Sequence, residues 1–101
     1  MSDEQKQFIA ELTPEAEEQL LGLDIKYRKR IAEAIKTFEY VGLKYKNIND
    51  LGNGLFEIKP SEVRAYFMYD TVRRKIIIVG FITLKKTQKA PKQYKEQAIK
   101  N

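Results

Sequence analysis

Two strand-like runs and a basic tail carry the side chains best suited to chemistry on an anion. Lys59 closes the run 55–59, Arg64 follows it within 63–69, and Lys85 and Lys86 come just after a third, strongly apolar run at 76–82. Tyr94 lies beyond Pro91. A planar guanidinium can grip a non-bridging phosphate oxygen through two parallel N–H donors. Lysines beside it can offset charge that grows in a phosphorane-like transition state. RNA supplies its own nucleophile, the 2′-OH next to the scissile phosphate. A protein then has to align the groups, move a proton and stabilise charge. A lysine among like charges, Tyr94 and Glu57 are three candidate proton acceptors, and the residues leave that choice open. Tyr66 offers an aromatic face for an unpaired base, and Lys85, Lys89, Lys92 and Arg73 offer cations along an RNA backbone. Plainer roles compete at each position. Arg64 can simply pair with Glu57 across the sheet, Tyr94 can pack a helix, the lysines can be solvated, and Arg73-Arg74 can be an ordinary turn.

Composition limits the chemistry. With no histidine, metal sites built on imidazole, serine triads and histidine acid–base pairs are all excluded. With no cysteine, there is neither a disulfide framework nor a thiolate nucleophile. No metal or cofactor is expected, and catalysis must rest on Lys, Arg, Tyr or carboxylates. The net charge of +5 is unevenly spread: residues 1–50 carry 8 Lys/Arg and 10 Asp/Glu, residues 51–101 carry 11 and 4. Positive charge therefore gathers on the second half, where it suits a polyanion. At 101 residues the chain is expected to form a single domain over 1–101, with no membrane span, no signal peptide and a cytoplasmic location.

These residues need a frame. Residues 7–12 suit a first strand. Thr13-Pro14-Glu15 opens a helix ending at Gly22, with Thr13 as cap, Pro14 at the first helical position and Glu15 at the positive end of the dipole. Asp24 is expected to cap a longer helix to about Val41. Its Tyr27, Ile31, Ile35, Phe38 and Val41 recur every three or four residues and form a core-facing stripe. Residues 42–54 read as a loop, with Gly52 and Gly54 flanking Asn53 in a turn. If residues 60–63 turn the chain, Lys59 pairs with Arg64 and Glu57 with Tyr66. Phe56, Ile58, Ala65 and Phe67 then face the helices, while Glu57, Lys59, Arg64 and Tyr66 share the other face. A three-residue turn would place Arg64 beside Ile58 and bury an unpaired charge. The run 76–82, apolar on both faces, indicates a central strand. Pro91 opens a short last helix with Tyr94, Ala98 and Ile99. The result is an α+β domain of order βααβββα, with two helices on one sheet face.

The joint order of the runs Leu51-Gly52-Asn53-Gly54-Leu55-Phe56-Glu57-Ile58-Lys59, Val63-Arg64-Ala65-Tyr66-Phe67 and Lys85-Lys86-Thr87-Gln88-Lys89-Ala90-Pro91 resembles the RelE/ParE toxin superfamily. It is most similar to the HigB-like, phage-associated branch, and the likeness covers roughly residues 8–99. The resemblance implies the toxin of a type II toxin–antitoxin pair that enters the ribosome, cuts mRNA there and is silenced by a cognate antitoxin, a helix-turn-helix or acidic protein. It assigns Arg64 and Lys86 to phosphate charge, Lys59 to orienting the phosphate and Tyr94 to proton transfer or base stacking. Lys59 stands where the family usually has arginine and Val63 where it usually has an aromatic. Either Thr83 stands where the branch usually has phenylalanine, or Phe81 matches it and two residues are inserted before Lys85. A non-catalytic alternative is a ParE-like gyrase inhibitor, or a phage-derived protein whose basic face docks on its antitoxin.

Overall fold

Local sequence sets the first turn of the structure. The chain is described by a computed structural model that covers residues 5–85. Strand β1 (Ile9–Leu12) runs into Thr13, whose Oγ1 accepts from the N–H of Ala16 at 3.1 Å and so starts helix α1 (Pro14–Leu21). Gly22 ends it, its N–H returning to the Glu18 carbonyl at 3.1 Å.

Helix α2 (Ile25–Val41) follows at once. Asp24 sits at its N-cap, but the carboxylate makes no capping hydrogen bond. Its backbone carbonyl instead accepts from Tyr27 and Arg28, both at 3.0 Å. Arg28 explains the tight corner: its Nη2 donates to the carbonyls of Leu21 and Leu23 at 3.1 and 3.2 Å, satisfying an acceptor at the end of α1 and one in the turn after it. The α2 stripe buries Ile31, Ala34, Ile35 and Phe38, with Tyr27 half-buried against the same core. At its end Gly42 adopts φ +63°, and a Cβ there would lie 2.7 Å from Gln7 Oε1.

Residues 42–54 differ from the expected loop. After a short 3-10 turn, Gly42–Lys44, the chain forms strand β2 (Ile48–Gly52), antiparallel to β3 (Leu55–Ile58). Asn53 and Gly54 both have positive φ, 56° and 80°, the backbone of a tight two-residue hairpin. Strand β2 escapes the apolar reading because Ile48-Asn49-Asp50-Leu51-Gly52 does not alternate. Its pairing also shifts by one residue between Asp50 and Gly52.

Strands β4 (Val63–Tyr69) and β5 (Ile76–Leu84) complete a five-stranded sheet in the order β1-β5-β4-β3-β2. β5 is central, parallel to β1 and antiparallel to β4, which accounts for apolar residues on both its faces. Among the described residues the order is therefore βααββββ. The helix expected after Pro91 lies outside them, and none of the described helices is long and apolar enough to cross a membrane.

The core lies between the sheet and the two helices, with Phe38 against Phe67 at 5.0 Å and Phe56 stacked on Phe67 at 5.3 Å. Glu39 closes the outer edge of β1. Its Oε2 accepts from the Ala10 N–H at 2.8 Å, its carbonyl accepts from Gln7 and Phe8, and Lys6 pairs with it at 3.4 Å. An edge strand left bare would invite pairing with another chain. Glu39→Ala is expected to lower stability by about 1–3 kcal/mol, read from urea unfolding, because a half-buried donor loses a charged acceptor.

Candidate functional site

The register of β3 and β4 is the one that the alternation requires, with Glu57 opposite Tyr66 and Ile58 opposite Ala65. Ile58, Ala65 and Phe67 join the helix-side core, and Glu57, Arg64 and Tyr66 take the other face. The turn between these strands is held from both sides. Lys59 N–H donates to the Asn47 carbonyl at 2.8 Å, and Lys85 N–H donates to the Glu62 carbonyl at 2.7 Å. Since Val63 pairs with Leu84 and Arg64 with Thr83, Lys59, Arg64 and Lys85 come to one end of the sheet on three neighbouring strands. Their backbones span roughly 10 Å.

Arg64 is anchored there. Its Nη1 donates to the Ser61 carbonyl and, at 3.2 Å, to the Val63 carbonyl; its Nε lies 3.8 Å from Glu57 Oε2. The side chain is 16% exposed and points away from the helix-side core. Nη1 is thus held by the chain, whereas Nε faces the Glu57 carboxylate at ion-pair distance, and among the described residues neither Nε nor Oε2 has a hydrogen-bond partner. Lys59 and Lys85 are half-buried, and neither ammonium is in an ion pair among the described residues. Three cationic residues are thus gathered at this turn, with Arg64 the one whose side chain the chain itself holds.

Glu57 is buried, 2% exposed, and accepts from Asn49 Nδ2 at 3.3 Å through Oε1. A carboxylate with so little access to water is poorly placed to take a proton from a bound substrate. Asn49 did not stand out in the sequence. The Asn53-Gly54 hairpin alone would set Asp50 opposite Glu57; the one-residue shift between Asp50 and Gly52, which no sequence signal marks, brings Asn49 there instead.

Two expected RNA contacts lie elsewhere. Tyr66 is fully buried, its ring 6.2 Å from Phe81 in a cluster with Leu51, Leu55 and Met68, so neither ring face is open to a base. Arg73 lies past the far end of β4, about 17 Å along the strand from Arg64. There it pairs with Glu11 at 2.9 Å and with Asp70 at 2.8 Å. Burial and the nearby Asp50 charge raise the Tyr69 hydroxyl pKa. Hydrogen bonds to Glu11 and then Asp70 raise that of Arg73. Backbone N–H groups of Arg73 and Val72, with the Arg73 side chain, hold the Asp70 carboxyl down at about 2. Lys86, Lys89, Lys92 and Tyr94 lie outside the described residues. Among the described residues no three acidic side chains gather to hold a metal ion.

A family model described as phage-derived protein Gp49-like (DUF891) matches residues 18–101. No curated protein matches the chain. Among solved structures, it is similar to a chain of the toxin–antitoxin complex RelBE2 from Mycobacterium tuberculosis. The TM-score is 0.64 at 15% identity, covering 77% of this chain and 98% of that one. A chain of the archaeal RelE–RelB complex from Pyrococcus horikoshii OT3 is similar at TM-score 0.63 and 16% identity, covering 79% and 97%. At such identities the likeness is one of fold: the sheet and helices are RelE-like.

The β4–β5 turn yields a pH prediction. Because the folded Asp70 pKa lies below its unfolded value, its contribution to stability is complete above roughly pH 4 and fades as pH falls towards 2. Asp70→Asn should lower Tm at pH 7 and flatten the decline of Tm between pH 4 and 2, measured by calorimetry.

Proposed function

The chain belongs to the phage-derived Gp49-like family, and from that premise we propose that it is the toxin of a type II toxin–antitoxin pair, an endoribonuclease that cuts mRNA on the ribosome. The observation that carries the reading is the anchored Arg64 between Lys59 and Lys85, on a fold shared with chains of toxin–antitoxin complexes. Within this reading the chain is HigB-like, works in the cytoplasm and is silenced by a cognate antitoxin.

The reaction follows from the cationic turn. The RNA 2′-OH attacks the adjacent phosphorus and loses its proton. The bond from phosphorus to the 5′ oxygen breaks, and that oxygen takes up a proton. The products are a 2′,3′-cyclic phosphate and a 5′-hydroxyl. Arg64, through Nη2, and Lys86 stabilise charge on the non-bridging oxygens, and Lys59 orients the phosphate. Tyr94 assists proton transfer or stacks on a base, while Lys85, Lys89 and Lys92 hold the strand. Tyr66 and Arg73 have no part in this site, one being buried and the other paired at the far end of β4. The reaction requires no metal, because the nucleophile belongs to the RNA.

The limited exposure of Arg64 also favours a second reading, a non-catalytic member that inhibits gyrase or whose basic face only docks on its antitoxin. Translation in vitro with primer extension separates the two. New mRNA ends should appear only with ribosomes and wild-type protein, and Arg64→Ala should reduce them by about a hundredfold or more. Intact mRNA together with stalled gyrase would replace the nuclease by the second reading.

A further inference from the structure

The face that carries Arg64 also carries a buried polar chain that crosses three strands. Asn49 on β2 is the register partner of Glu57 on β3 and donates to its Oε1 at 3.3 Å. Glu57 Oε2 faces Arg64 Nε on β4 at 3.8 Å, one diagonal step along the ladder. Arg64 Nη1 is fixed on two backbone carbonyls of the turn.

We infer that Asn49 and Glu57 are positioning residues: the buried Glu57 carboxylate draws the Nε side of the Arg64 guanidinium towards itself, so that Nη2 addresses the anion site. A carboxylate 2% exposed is costly to bury, and a buried ion pair contributes little net stability compared with apolar side chains of equal volume. Stability alone thus gives no reason for a charge at position 57. Orientation does, because Nη1 is bonded to two turn carbonyls while Nε and Glu57 Oε2, each buried and without a hydrogen-bond partner among the described residues, face one another as an ion pair at 3.8 Å. Asn49 in turn fixes the carboxylate. Its amide is a donor to Oε1, which leaves Oε2 for the arginine. Glu57 also partly offsets the positive charge of Arg64. Its removal should therefore not weaken anion attraction, and only the placement of the guanidinium suffers.

The kinetic arm rests on the ribonuclease reading, and a second arm does not. For the full chain with programmed ribosomes, Glu57→Gln and Asn49→Asp should each lower kcat by about tenfold to a hundredfold, the scale set by a misplaced catalytic group. KM should stay within about twofold. Combined with Arg64→Lys, neither should lower kcat further, because the positioned fork is already gone. Losses that multiply, or a loss confined to KM, would overturn the inference. Independently of any cleavage, the Nε–Hε resonance of Arg64 in a nitrogen-15 NMR spectrum should shift and exchange faster with water in both variants. A resonance unmoved in both would overturn the relay. If wild-type protein cuts no RNA while that resonance moves as expected, the nuclease reading fails and the relay stands.

Discussion

The pairing of β3 with β4 in one register governs both the core and the site. Side chains alternate along a strand, so the placement of Glu57 opposite Tyr66 decides every neighbour at once. It sends Ile58, Ala65 and Phe67 under α2 and leaves Glu57 and Arg64 on the other face. A slip of one residue would carry a guanidinium beneath the helix and Phe67 out of the aromatic stack, a loss of several kcal/mol. The turn is tied to β2 through Lys59 and to β5 through Lys85, so the register is held by neighbours on both sides as well as by hydrophobic burial.

The second sheet face is itself divided. At the turn end it is polar, with Asn49, Glu57 and Arg64 in contact; farther along it becomes the apolar cluster of Leu51, Leu55, Tyr66, Met68 and Phe81. The positive charge of the second half of the chain is divided in the same way. Arg73 is spent on Glu11 and Asp70, joining the β4–β5 turn to β1, whereas Lys59 and Lys85 sit by Arg64 without a carboxylate partner among the described residues. A count of charges shows an excess of cations, and the fold decides which of them are paired with carboxylates.

Much of the frame was readable because its signals are local. Thr13-Pro14 sets a helix start, residues 27–41 repeat at helical spacing, and the apolar run 76–82 announces a central strand. Strand β2 was not readable by the same means. Its five residues lack alternation, and their pairing depends on β3 and on the positive-φ pair Asn53-Gly54. Asp24 shows a related limit. It occupies the capping position, but Tyr27 and Arg28 take the backbone carbonyl instead of the carboxylate.

From the sequence alone came the residue types and their order: no imidazole or thiol, a basic second half, and a register that keeps Arg64 out of the helix-side core. Those follow from composition and from the period of two along a strand. Tertiary structure alone decided which side chains are spent. It buried Tyr66, paired Arg73 with Glu11 from the distant β1, and brought Asn49 against Glu57. Each of these depends on strands that are neighbours in space, and charge or aromatic character in the chain carries no record of which neighbour will arrive.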